Sequence, residues 1–108
     1  MNMRTVPIIL ASAALSACVT TVADLESKPP RATYYLERSP EGFVQCILET
    51  MGNLGSPNHY VRSDQTRVIS YTVQDRVAVV YLVRAGQVDV HTLSSLISFR
   101  QGTEACLG

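Results

Sequence analysis

The side chains able to do covalent or acid–base chemistry are few: thiols at Cys18, Cys46 and Cys106, imidazoles at His59 and His91, and hydroxyls spread along the chain. A hydrolase needs an activated Ser or Cys within reach of a His and a carboxylate. The nearest approach to that is His91, two residues after Asp89, a spacing that on a strand puts both on one face. The same pair also fits the polar side of an edge strand. No Gly-x-Ser-x-Gly turn is present, and the six glycines are too scattered to cradle a phosphate. Neither histidine stands at a ligand spacing from the cysteines. No enzyme activity, metal or cofactor is expected.

Charge narrows the field further. Nine basic residues face nine acidic ones, so there is no field to gather a nucleic-acid backbone, and two Phe, five Tyr and no Trp make no stacking platform. The basic character of the body comes from Arg62, Arg67, Arg76, Arg84 and Arg100, whose planar guanidinium groups suit a partner surface. Arginines at strand ends also keep a sheet soluble, so both roles stay open. Tyr34 and Tyr35 fit an interface anchor or a lid over the end of a small core.

The N-terminus reads differently from the rest. Arg4 precedes an apolar run from Val6 to Leu15, followed by Ser16 and Ala17, which is the order of a secretory signal. The ten-residue run is half of the roughly 20 residues a helix needs to span a bilayer. It ends in Leu15-Ser16-Ala17-Cys18, which resembles the lipobox of bacterial lipoproteins. The resemblance implies that Cys18 receives diacylglycerol and that residues 1–17 are removed. It also implies, through Val19 where Asp commonly retains such proteins at the inner membrane, delivery to the outer membrane. Several acyl chains on Cys18 would hold the protein there durably, since each buried methylene contributes about 0.8 kcal/mol.

With Cys18 assigned to lipid, Cys46 and Cys106 are the one remaining pair in an oxidising compartment, and a disulfide is expected; two buried free thiols or a metal pair are the alternatives. Removal of residues 1–17 leaves 91, with eight basic and nine acidic side chains. Residues 18–38 show neither helical nor strand periodicity and are expected to be a tether, leaving residues 39–108 to fold. A core of about 70 residues is marginal without such a staple.

Within 39–108, Ser39-Pro40-Glu41 is a helix start, with a capping hydroxyl, a proline at the first position and an acid at the positive end. Phe43, Val44, Ile47, Leu48 and Met51 then recur at helical spacing, with Cys46 at the edge of the apolar face and Gly52 available as a stop. The period next changes to that of strands. A short strand is expected over 59–62, an alternating one over 66–73 with Ile69, Tyr71 and Val73 inward, and a central one over 76–84, apolar on both faces. A last strand over 87–93 points Val88 and Val90 inward and Asp89 and His91 outward, and a short helix or turn is expected over 94–107. The expected fold is α+β, one N-terminal helix on three or four antiparallel strands.

Ser39-Pro40-Glu41, Phe43-Val44 and Cys46-Ile47 on a helix, with Cys106-Leu107 closing the chain, resemble a group of small disulfide-containing bacterial envelope proteins. No activity comes with that likeness. The expected function is a non-enzymatic outer-membrane lipoprotein, anchored through Cys18 and facing the periplasm, that contacts an envelope protein partner or supports an assembly. The alternatives are a membrane-tethered ligand binder or inhibitor, or an exclusion lipoprotein of a phage or plasmid.

Overall fold

The computed structural model describes residues 20–108; Cys18 and the signal segment 1–17 lie outside the described residues. The elements in chain order are α1 (Val22–Glu26), β1 (Ala32–Tyr35), α2 (Pro40–Thr50), β2 (Ser56–Val61), β3 (Arg67–Val73), β4 (Arg76–Arg84), β5 (Gln87–Thr92) and α3 (Arg100–Ala105). Between its terminal arginines β4 carries no polar side chain except the hydroxyl of Tyr81, so it needs cover on both faces and neighbours on both edges. It has them: the sheet order is β1-β5-β4-β3-β2, antiparallel throughout, with Ile69 opposite Tyr81 on one side and Val90 opposite Tyr81 on the other.

One face of the sheet presents Ile69, Tyr71, Val79, Tyr81, Val83, Val88 and Val90 to α2, which returns Phe43, Val44 and Ile47. Helix α2 starts as its sequence dictates: Gly42 N–H donates to Ser39 Oγ at 3.1 Å, and Pro40 occupies the first turn. Phe99 and Cys106, flanking α3, close the same core. Two buried tyrosines tie the layers together. Tyr71 Oη donates to the Ile47 carbonyl at 3.3 Å, and Tyr81 Oη lies 2.7 Å from Thr103 Oγ1. Burial pushes the Tyr81 phenol up to about 12, with the Thr103 hydrogen bond opposing that shift only in part. Gly102 in α3 faces Met51 so closely that a Cβ there would overlap the sulfur, so the residue that weakens α3 as a helix is the one that lets it pack.

The opposite face carries a second, smaller core of Leu25, Val68, Val80 and Leu82, with Val22 against it. Its cover is α1, and here the structure corrects the reading of residues 18–38 as a tether. From Thr20 onward this stretch is folded. Thr21 and Asp24 form a reciprocal capping box, Thr21 N–H donating to Asp24 Oδ2 at 2.9 Å and Asp24 N–H donating to Thr21 Oγ1 at 3.2 Å. Leu25 is buried, and Ala32–Tyr35 pairs with β5 from Ala32 opposite Val90 to Tyr35 opposite Gln87. The sheet therefore has five strands rather than three or four. A helix of five residues and a strand of four are too short to show a period, and both are held by partners more than 40 residues away in sequence.

Smaller differences have local causes. The first strand of the meander starts at Ser56, three residues before the expected 59, because an edge strand tolerates Pro57. Arg62 N–H donates inward to the Thr66 carbonyl, and by the two-residue alternation of the ladder the missing N–H of Pro57 falls on the outer edge. Val73 is not inward: a bulge leaves Ala78 unpaired between Val77, opposite Thr72, and Val79, opposite Tyr71, and the strand end beyond it is exposed.

Candidate functional site

Cys46 of α2 and Cys106 after α3 are joined, with their Cα atoms 5.7 Å apart, and Thr50 Oγ1 stands 3.8 Å from both sulfurs. The bridge fastens the two helices that cover the larger core. Closing a loop over a separation of 60 residues stabilises the fold by about 4 kcal/mol in the chain-entropy account. These sulfurs are a staple rather than a nucleophile.

The structure does not assemble the histidine and carboxylate that the sequence brought into consideration. Asp89 is engaged elsewhere, accepting from Thr33 Oγ1 at 2.8 Å, from Arg84 Nη1 at 3.2 Å and from Gln87 Nε2 at 3.1 Å. His91 shares its sheet face, yet it is buried, not on an open polar edge, because β1 covers the flank of β5 and α1 covers the face. Its Nδ1 has no hydrogen-bond partner among the described residues. His59, on β2, is exposed. No group of three His, Cys, Asp or Glu able to hold a metal occurs among the described residues.

The arginines divide by position. At the end of the sheet where β3 starts and β4 stops, three pair with carboxylates, Arg62 with Glu26 at 2.5 Å, Arg67 with Glu41 at 3.6 Å and Arg84 with Asp89 at 3.2 Å, while Arg38 donates to the Gly108 carbonyl at 2.8 Å. Arg62 grips Glu26 through both nitrogens, and that hydrogen bonding holds the Glu26 carboxyl below its ordinary range and raises the guanidinium. In the turn between β2 and β3, the backbone N–H of Thr66 donates to Asp64 Oδ1 and lowers that carboxyl too.

At the other end, where β4 and β1 start and β5 stops, Lys28, Arg31, Arg76 and Arg100 form no ion pair with a described carboxylate. Arg31 Nε donates to Thr92 Oγ1 at 3.1 Å, and the Arg100 guanidinium lies 5.3 Å from the centre of the Phe99 ring. Arg31 borders two shallow grooves, one shared with Leu96 and Arg100, the other with Lys28, His91 and Leu93. The sequence singles out Arg76 and Arg100 by type but places Lys28 and Arg31 in a tether, Leu93 at the end of a strand and Leu96 in a terminal helix or turn. No local signal joins them; only the topology does. The tyrosine pair also splits, with Tyr34 packed against the core and Tyr35 exposed at the opposite end.

Comparison with family models, curated proteins and solved structures finds no match to this chain.

Proposed function

We propose that this protein is a lipid-anchored, non-catalytic interaction module of the bacterial envelope, held on the outer membrane by acylated Cys18 and facing the periplasm. The observation that carries the reading is Leu15-Ser16-Ala17-Cys18 placed directly behind a ten-residue apolar run. Three features support it. The other two cysteines are paired, leaving Cys18 as the one thiol of the chain outside that bridge. No helix among the described residues is long and apolar enough to cross a membrane. The space between α2 and the sheet is filled by Phe43, Ile47, Tyr71 and Tyr81, all without exposed surface, which favours a protein partner over a ligand held between helix and sheet. Val19 after the acylated position supports the outer membrane as destination.

The test is labelling with a palmitate analogue followed by crosslinking in the native envelope, with Cys18→Ala as control. The reading expects label on the wild type, none on the variant, release of the variant from the membrane fraction, and a dominant envelope protein crosslinked only to the wild type. An unlabelled wild type, or a variant that stays on the membrane, overturns the anchor. Labelled protein without any crosslinked partner overturns the interaction role.

A further inference from the structure

Resting on the lipid anchor just proposed, we infer that the domain stands directly on the membrane, with the sheet end formed by the starts of β1 and β4 and the stop of β5 against the headgroups of an anionic bilayer. Covalent reach carries the argument. The Thr20 carbonyl accepts a hydrogen bond from Val77 N–H at 3.2 Å, pinning the chain to the second residue of β4. Cys18 precedes Thr20 by two residues, and two trans peptide units span at most about 7 Å between Cα atoms. An acylated Cys18 is therefore held beside this end. The far end lies a nine-residue strand away, about 30 Å at 3.3 Å per residue.

The chemistry of the end matches that neighbour. Lys28, Arg31, Arg76 and Arg100 stand there with no ion-pair partner among the described carboxylates, the acids on the same elements being Asp24 in α1, Glu49 in α2, Asp75 before β4 and Glu104 in α3. At the far end Arg62, Arg67 and Arg84 are paired with Glu26, Glu41 and Asp89, and Arg38 is engaged by the Gly108 carbonyl. Cations beside an anionic surface are drawn to it over about a Debye length. Leu96 is 90% exposed beside Arg31 and Arg100, and Leu93 is also exposed, an apolar tip within a cationic rim. This is the composition of a surface that dips into headgroups rather than one that faces water.

The chain contains no Trp, so single substitutions make clean reporters. Leu96→Trp marks the proposed membrane end and Tyr35→Trp, at a position 74% exposed, marks the other. Acylated full-length mature protein of each kind is reconstituted in vesicles of phosphatidylethanolamine and phosphatidylglycerol with brominated acyl chains, and acylation is read by mass. Trp settles at membrane interfaces, so emission from Leu96→Trp should fall about twofold and shift to the blue while that from Tyr35→Trp stays unchanged. Acylated, vesicle-bound protein in which neither reporter is quenched, or both are, overturns the orientation and leaves the anchor standing. Protein recovered from the envelope without acyl chains overturns both.

Discussion

The two faces of the sheet solve the same problem at different scales. One is covered by an eleven-residue helix, a second short helix and a disulfide, and its core holds four buried aromatic rings, Phe43, Tyr71, Tyr81 and Phe99. The other is covered by the five residues of α1 and one fully committed side chain, Leu25. The thick face makes the fold, since it supplies most of the apolar burial that a small domain needs. The thin face is where the chain enters the described fold at Thr20, so its cover is a structural lid and, in the proposed function, the element next to the anchor. A short lid of few contacts is expected to open well below the free energy of global unfolding.

That contrast can be broken at several points. Replacing Cys46 and Cys106 by Ser should cost about 4 kcal/mol in a denaturant titration, because the unfolded chain regains the freedom of the closed loop; a loss under a quarter of that would mean the thick face holds without its staple. Leu25→Ala should cost about 2 kcal/mol, with faster amide hydrogen exchange in α1 and its neighbours while α2 keeps its protection. Equal loss of protection in α2 would show that the faces are one cooperative unit. Gly102→Ala should cost about 1.5 kcal/mol by forcing Met51 out of its contact with α3, measured as a lowered Tm.

Asp75→Gly should act in the opposite direction. Gln74 and Asp75 both sit in the left-handed region, with φ of 52° and 64°, and relieving one L residue there should stabilise by about 1 kcal/mol. The pair Arg62–Glu26, which clamps the end of α1 to the end of β2, should give the smallest effect. Glu26→Gln should cost about 0.5 kcal/mol at neutral pH, since the pair is partly exposed. The Glu26 carboxyl is depressed in the fold, so its contribution is present above its ordinary 4.5 and is lost as pH falls through the lower folded value. Wild type and Glu26→Gln should therefore converge in stability on acidification below 4.5, and a difference that persists in acid would detach it from the ion pair.

Much of the thick face was legible before any coordinates. Ser39-Pro40-Glu41 and the recurrence of Phe43, Val44, Ile47 and Met51 announce α2, and the unbroken apolar run of β4 announces a central strand, because long elements repeat their period often enough to be recognised. The thin face was not. Ala32-Thr33-Tyr34-Tyr35 follows two prolines and spans four residues, and it becomes a strand only because β5 offers an edge 56 residues later in the chain. The candidate site suffered from the same limit. Arg76 and Arg100 stood out by type, whereas Lys28, Arg31 and Leu96 acquire meaning only when β1 is placed beside β5.

His91 shows the division most sharply. Alternation alone puts it on the face opposite Val88 and Val90, which is where it lies, but whether that face meets water depends on what covers it, and the cover is α1. By itself the sequence determined the helix α2 and the central strands, which are set by local steric preference and by the periodicity of apolar side chains. Tertiary structure alone decided the fifth strand, the second core and which arginines find a carboxylate partner. Those depend on burial against residues distant in the chain, and the free energy of that burial is a property of the assembled surfaces rather than of any short segment.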